Sequence, residues 1–346
     1  MSSASGNQER GLVVAVVGAT GLVGRTMVRI LEERNFPVAE LRPLAARGAG
    51  RSVRFRDTEI PVAEATPAAF EGVDVALFSA GAEVSLQLAP EAARRGCTVV
   101  DNSSAWRMDP TVPLVVSQVN PEALDGHRGI IANPNCSTMQ LAPLLHALQQ
   151  AAGLKRVVVA TYQAVSGAGG EAVDDLRAQR RAVVAGETPA STTVRHAVVE
   201  SPIPAIDLFL PDGSTKEETK VVNESRKILG LPALRISATA VRVPVEVGHS
   251  EAVHVELERP LTPEAARTVF AQTAGVFVQD DPASHIYPLA AEAAGSDGIY
   301  VGRVRVDQSV EHGLAFWVVS DNVRKGAATN AVEIAELLLA RGLLHA

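Results

Sequence analysis

Leu12-Val13-Val14-Ala15-Val16-Val17-Gly18-Ala19-Thr20-Gly21-Leu22-Val23-Gly24 is the stretch that decides the fold. Its first six residues are apolar without a break, which fits a strand buried on both faces of a parallel sheet. Three glycines follow at G-x-x-G-x-x-G spacing, and Met27 to Glu33 continues as a helix. Strand, glycine turn and helix form the context that a dinucleotide-binding fingerprint requires. Small residues let the backbone approach a pyrophosphate, and the helix N-terminus favours its charge. Gly18, Ala19, Thr20, Gly21, Leu22, Val23 and Gly24 are therefore read as a cofactor cradle. The competing reading is a tight turn that binds nothing.

The pattern extends outward from there. Glu40 to Ala45 reads as a second strand, followed by Arg47, Gly48, Gly50 and Arg51. An acidic residue at this place would hold a ribose hydroxyl, whereas an arginine accommodates a 2′-phosphate. No Asp or Glu occurs between Glu40 and Asp57. NADP is therefore expected rather than NAD, with Arg47 as its phosphate ligand. Val73 to Gly81 is a further buried strand whose small end residues, Ser79, Ala80 and Gly81, suit the cofactor crevice. Val84 to Arg95 reads as a helix in spite of Pro90. Cys97 to Asp101 reads as a strand in which Cys97 is a core residue. Arg107 follows on a loop at the same sheet end and is a candidate anion ligand. Val112–Val116 and Gly129–Ala132 complete an alternating α/β half.

Ala132-Asn133-Pro134-Asn135-Cys136-Ser137-Thr138 reads as a strand end, a turn and a helix start. Leu141, Leu144, Leu145 and Leu148 continue at helical spacing. A cysteine at such a junction meets the first backbone N–H groups of a helix, which favour a thiolate and could hold an oxyanion. A small buried hydrophobe is the alternative for Cys136.

The second half has a different texture. Arg156 to Ser166 looks like a long strand, and Glu171 to Ala185 a helix. Residues 186–215, rich in Pro, Ser, Thr and Gly, form an excursion without periodicity. Lys216 to Leu229 is a helix stopped by Gly230. Ile236 to Val247 is a strand, His249 starts a turn, and Glu251 to Leu257 is another strand. Leu314 to Val319 is a buried strand, and Ala327 to Leu344 a helix long enough to return to the first domain. The fold class expected is α/β, with an N-terminal Rossmann-like dinucleotide-binding domain and an α+β substrate and dimerisation domain. The boundaries expected are a tail at 1–10, a cofactor domain at 11–135, a catalytic domain at 136–320 and a returning C-terminal segment at 321–346.

Composition bounds the function. The chain has 346 residues, 47% hydrophobic and 21% charged, with a net charge of −7. That charge argues against nucleic acid or an anionic membrane as a partner. Two cysteines are too few for a disulfide framework and fit a reducing, cytoplasmic compartment. No apolar run is long enough to span a bilayer, and residues 1–10 lack the apolar core of a signal peptide.

A hydride-transferring enzyme with a cysteine nucleophile also needs a proton carrier and anion ligands. Gln163, Glu217, Lys220, Arg242 and His249 are the candidates in the second half. A histidine is the usual acid–base at neutral pH. Glu217 and Lys220 share a helix face, which a surface ion pair would equally explain. Arg242 lies within a strand, where a guanidinium is costly unless paired or bound to an anion.

Taken together these motifs resemble aspartate-β-semialdehyde dehydrogenases over nearly the whole chain. The resemblance is carried by residues 18–24, 101–120, 133–138 (Asn-Pro-Asn-Cys-Ser-Thr), 161–169, 216–230, 241–253 and 320–328. It implies Cys136 as nucleophile, His249 as acid–base and Gln163 as the residue that orients an acyl intermediate. Arg107 and Lys220 would take phosphate, and Arg242 the substrate carboxylate. Glu217 and Asn135 would help to place the amino acid. Ser166, Gly167 and Asn322 would belong to the cofactor site, with Asn322 at the nicotinamide end. The implied reaction is NADPH-dependent conversion of 4-phospho-L-aspartate to L-aspartate 4-semialdehyde, toward lysine (through diaminopimelate), threonine, methionine and isoleucine, by a homodimer or homotetramer. Three positions depart from the family pattern: the loop at 44–48 is a residue shorter and lacks a serine, Val198–Ser201 replaces an Asn-containing segment, and Thr219 stands where a large apolar residue is common. The alternatives are a related acyl-phosphate reductase, such as N-acetyl-glutamyl-phosphate reductase, or a non-catalytic paralogue; the latter has no reason to retain Cys136, Gln163, Arg242 and His249 together.

Overall fold

The computed structural model describes residues 11–46 and 50–344, so Arg47, expected at the cofactor phosphate, lies outside the described residues. The chain divides into two compact units, one made of residues 1–117, 121–133 and 328–346 and the other of 118–120 and 134–327.

The first unit contains β1 (Leu12–Val17), α1 (Leu22–Glu33), β2 (Val38–Ala45), β3 (Ser52–Phe55), β4 (Thr58–Pro61), β5 (Ala63–Glu64), β6 (Val75–Phe78), α2 (Ala82–Arg94), β7 (Thr98–Asp101) and β8 (Ile130–Ala132). Its main sheet runs β5-β2-β1-β6-β7-β8, every pair parallel. Val14 and Val16 enter one core with Met27, Ile30 and Leu31 of α1. Ala15 and Val17 enter the other with Leu88 and Ala89 of α2. Cover on both faces is why β1 is apolar throughout rather than alternating. Cys97 is buried in the second of these cores, as expected, and burial pushes its thiol up. The strand order reverses at β1, so the crevice beyond the ends of β1 and β6 is the switch point where such sheets bind ligands. The segment 112–116 is not a strand: only Leu114 bridges Ala132, and Pro113 has no N–H to offer a ladder.

The second unit contains α3 (Cys136–Ala152), β9 (Leu154–Gln163), α4 (Gly170–Val184), α5 (Lys216–Leu229), β10 (Arg235–Arg242), β11 (His249–Leu257), α6 (Pro263–Ala271), β12 (Val276–Val278), α7 (Ala290–Ala293), β13 (Ile299–Asp307) and β14 (Gly313–Ser320). Its sheet runs β10-β9-β11-β14-β13-β12 and is mixed. One face packs on the leucines of α3 and on Ala266 and Phe270 of α6. Two expectations are corrected here. The strand expected over 236–247 stops at Arg242, because Pro244 cannot donate to a ladder. His249 does not sit in a turn but is the first residue of β11, preceded by Gly248 at φ +99°.

The excursion 186–215 has no helix or strand of its own, yet it is anchored. Asp175 of α4 accepts bonds from the hydroxyls of Ser191, Thr192 and Thr193. Gln179 Oε1 accepts from the N–H groups of Val198 and Val199, which places a partner under one departure from the family pattern. Ile203 exchanges both backbone bonds with Arg242.

The expected helix 327–344 is shorter. A π turn spans Arg324–Thr329, and α8 (Asn330–Ala340) follows and belongs to the first unit, where Ile334, Ala335 and Leu338 join the α1 core. Among the described residues no helix is long and apolar enough to cross a membrane.

Candidate active site

Cys136 occupies the first helical position of α3, with Asn135 as N-cap. Asn135 Oδ1 accepts from the N–H of Ser137 at 3.0 Å and of Thr138 at 3.4 Å. That is the bonding which makes Asn a strong N-cap. It leaves Cys136 at the positive end of the helix. Gly326 packs against it so closely that a Cβ there would stand 3.0 Å from Cys136 Cβ.

The carboxylate of Glu217, on α5, ties the surrounding residues together. Its Oε1 accepts from Asn135 Nδ2 at 2.9 Å and Gln163 Nε2 at 3.1 Å; its Oε2 accepts from Lys220 Nζ at 3.1 Å. Burial pushes this carboxyl up, but the Lys220 charge and the bonds from Asn135 and Gln163 outweigh it and hold it below the usual carboxylate range. Lys220 also donates to Asp207 at 2.8 Å. Burial pulls its ammonium down, and the charges of Glu217 and Asp207 more than restore it. Gln163, at the end of β9, donates in addition to Ser137 Oγ at 2.8 Å. Ser137 and Asp207 are therefore site residues that spacing did not single out. Asp207 lies in the stretch without periodicity, and Ser137 looks like an ordinary helix-start residue.

Arg242 and His249 meet at a shared neighbour. A Cβ on Gly167 would lie 3.0 Å from Arg242 Nη1 and 3.2 Å from His249 Nε2. Arg242 donates to the Ala164 carbonyl at 2.7 Å, and its guanidinium is felt by Cys136 and Glu217. The Ala164 N–H donates to His249 Nδ1 at 3.0 Å. A neutral ring that accepts at Nδ1 carries its proton on Nε2. Complete burial, and then the Arg242 charge, push this imidazole well below its ordinary range. His249 is thus held as a neutral Nε2–H donor.

Asn322 is bonded within the second unit. Its Nδ2 donates to Ser166 Oγ at 2.9 Å, and its Oδ1 accepts from the Gly248 N–H at 2.9 Å. It fixes the turn that leads into His249.

The residues expected at the cofactor's pyrophosphate lie in the first unit. Gly18 has φ +86°, and a Cβ on it would stand 2.4 Å from the Ser79 carbonyl oxygen; on Gly24 it would stand 2.1 Å from the Gly18 oxygen. The turn after β1 thus packs directly on the segment Ser79-Ala80-Gly81 after β6, and glycine is required for both approaches. Gly21 is the N-cap of α1, no side chain caps that end, and its first turn has no acidic residue. Such a cradle of backbone amides at a helix start fits a pyrophosphate. Arg25, the residue after the third glycine, bonds the Thr20 carbonyl and was not singled out by the spacing. Arg107 is buried and fixed by the carbonyls of Asn133 at 2.9 Å and Asn102 at 2.6 Å.

Two family models match the chain, one over most of the first unit and one within the second. Residues 13–127 match the model of the semialdehyde dehydrogenase NAD binding domain, and residues 141–325 that of the semialdehyde dehydrogenase dimerisation domain. An aspartate-semialdehyde dehydrogenase of Aquifex aeolicus is 50% identical over 96% of this chain and its own full length. One of Bacillus subtilis is 48% identical over 95% of this chain and 98% of its own. The crystal structure of aspartate semialdehyde dehydrogenase II from Vibrio cholerae superposes with a TM-score of 0.93 at 45% identity, covering 96% of this chain and 99% of that one. With a cysteine at a helix start, a glycine cradle after the first strand and this likeness along almost its entire length, the chain belongs to the aspartate-semialdehyde dehydrogenase family.

Proposed function

We propose that this oxidoreductase converts 4-phospho-L-aspartate to L-aspartate 4-semialdehyde with NADPH, through a thioester on Cys136. The observation that carries the reading is the position of Cys136 at the head of α3, with Asn135, Gln163 and Lys220 gathered on one buried carboxylate beside it. The Cys136 thiolate attacks the acyl carbon, the acyl–oxygen bond breaks, and phosphate leaves. NADPH, when bound at the glycine cradle, supplies a hydride to the thioester carbon. The oxygen of the resulting thiohemiacetal then carries negative charge, which the His249 Nε2–H is oriented to stabilise. Collapse of this alkoxide breaks the carbon–sulfur bond and returns the sulfur as thiolate, so no proton has to be taken up by the ring. That agrees with His249 Nδ1 being engaged by a backbone N–H; the net proton leaves with phosphate.

Arg242 is assigned to the substrate carboxylate, and Lys220 and Arg107 to phosphate. Phosphate reaches Lys220 by displacing Asp207, its present exposed-side partner. Glu217 acts as the scaffold that fixes Asn135, Gln163 and Lys220, and Asn322 as the residue that holds the approach to His249. NADP rather than NAD is supported by the lack of acidic residues between Glu40 and Asp57. A Vibrio cholerae relative 44% identical has been solved in complex with ASA, which supports a semialdehyde substrate for this chain. The match to a dimerisation domain supports a homodimer, in the biosynthesis of the aspartate-derived amino acids.

The test is reduction of NADP by L-aspartate 4-semialdehyde, followed at the nicotinamide absorbance with and without phosphate. Turnover that requires phosphate is expected and is faster with NADP than with NAD. Turnover with N-acetyl-glutamate semialdehyde instead, or none with either aldehyde, overturns the proposal.

A further inference from the structure

Helix α3 does not contain the residue that would complete its own cap. In a capping box the third helical residue is Glu or Gln, and its side chain returns to the N–H of the N-cap. In α3 that position is Thr138, whose hydroxyl makes no hydrogen bond with the protein. The partner of the Asn135 N–H comes instead from α5: Glu224 Oε2 accepts it at 2.6 Å. Glu224 is 1% exposed. Helix α5 has a complete box of its own, Thr215 with Glu218.

Glu217 and Glu224 stand two helical turns apart, on one face of α5. The first holds the side chain of Asn135 and the second its backbone. Cys136 is the next residue in the chain. We propose that Glu224 is a positioning residue for the nucleophile: it completes the α3 cap from another helix and so fixes the direction in which Cys136 meets the substrate carbonyl. The inference rests on the proposed role of Cys136. Losing the bond leaves a buried N–H without its acceptor and lets the loop move. A misplacement of about 1 Å at a reacting group costs on the order of a hundredfold in rate.

The experiment compares Glu224→Ala with Glu224→Gln. Both remove the charge, and only the second keeps an acceptor oxygen. Two readouts are taken on protein whose folded fraction has been set by thermal melting: kcat and KM for L-aspartate 4-semialdehyde, and the rate at which iodoacetamide alkylates Cys136 in enzyme without substrate. Glu224→Ala is expected to lose about 30- to 100-fold in kcat with KM within about threefold, and Glu224→Gln to recover most of that loss. Alkylation of Cys136 is expected to be at least about threefold slower in the Ala variant than in the Gln variant, because the helix-start amides no longer align on the sulfur. Should the Ala variant not fold, Glu224→Asp keeps the carboxylate but falls one methylene short, and the same loss relative to Gln is expected. Equal kcat and equal alkylation in Ala (or Asp) and Gln variants overturn the proposal, as does a loss confined to KM. Alkylation needs no turnover, so a failure of the proposed reaction leaves this test standing and is seen separately, as absence of phosphate-dependent activity in the unaltered protein.

Discussion

A buried carboxylate shared by an Asn, a Gln and a Lys costs more than it contributes unless every partner is kept, and that is the state of Glu217. Its contribution to stability has a definite pH sense. The folded carboxyl lies below its ordinary value of 4.5, so its stabilisation is present above pH 4.5 and lost as pH falls through the lowered value. Glu251 has the opposite sense. It is fully buried on β11, two residues beyond His249, and burial pushes it well above the same ordinary value of 4.5. The folded protein therefore holds a proton that the unfolded chain has released, and that contribution is lost as pH rises from 4.5 toward neutrality. Glu251→Gln removes this titration. The melting temperature of the variant relative to the unaltered protein is expected to climb across that interval; a pH-independent difference would refute it. At the chemical centre, Cys136→Ser is expected to reduce phosphate-dependent turnover to background while NADP affinity, measured by nicotinamide fluorescence, stays within about twofold, because sulfur supplies the nucleophile and not the cofactor cradle. Unchanged turnover removes Cys136 from the mechanism. Lys220→Ala is expected to raise KM for phosphate about tenfold, equivalent to about 1.4 kcal/mol, and to leave KM for NADP unchanged; the reverse pattern would exclude Lys220 from the phosphate site.

Elements are legible in a sequence when their own residues specify them, and the two units differ in this respect. β1 and β6 lie in a parallel sheet covered on both faces, with α1 on one of them, so each strand is an unbroken apolar run and each turn has its glycine. α5 is marked at both ends, by Thr215 and by Gly230 in the left-handed region at φ +66°. By contrast, residues 258–313 hold α6, β12, α7 and β13: β12 and α7 have only three and four residues, and the alternation of β13 is broken by a register shift between Gly302 and Arg305. Pro113 kept one expected strand from forming and Pro244 ended another early, because a ladder needs N–H donors that proline lacks. The site was legible as a set of residue types, but its wiring was not. That Asn135 is gripped from α5, that Asp207 holds Lys220, and that Ala164 fixes the His249 tautomer all depend on backbone and side-chain atoms brought together from separate elements. The glycine turn makes the element-scale prediction. Gly24→Ala would place a Cβ 2.1 Å from the Gly18 oxygen, and backbone rather than a flexible side chain must then move. KM for NADP is expected to rise at least about tenfold, or about 1.4 kcal/mol, with kcat at saturating NADP changed little; equal KM values would show that the turn does not shape the cofactor site.

At the scale of the molecule, one face of the second sheet is only partly covered among the described residues, where Pro288 accepts a bond from Trp317 and Val319 is buried. The face toward α3 and α6 is a closed core, whereas the other presents Tyr162 and Trp317, their rings tilted by 48° with centres 5.3 Å apart, together with Ala252, the register partner of Trp317. Leu289 and Phe277 remain 46% and 54% exposed. A concavity lined by Ser250, Ala252, Pro288, Leu289 and Trp317 adjoins them. An antiparallel sheet that faced water on this side would carry polar residues at alternate positions. Around Tyr162, Trp317 and Ala252 they are aromatic or small, with His254, Glu256 and Arg305 farther along the strands, and an apolar patch rimmed by charge is the composition of a face that packs against protein. A second copy of the same sheet would satisfy it, since in a two-fold contact one patch serves both partners. Sedimentation of the unaltered protein is therefore expected to give at least twice the chain mass of 36.3 kDa. Ala252→Arg inserts a guanidinium where the contact would exclude water, and an unpaired buried charge of that kind costs several kcal/mol. The variant is expected to sediment at the monomer mass with its circular dichroism unchanged. If the unaltered protein sediments as a monomer, or the variant keeps the mass of the assembly, the two copies do not meet on this face.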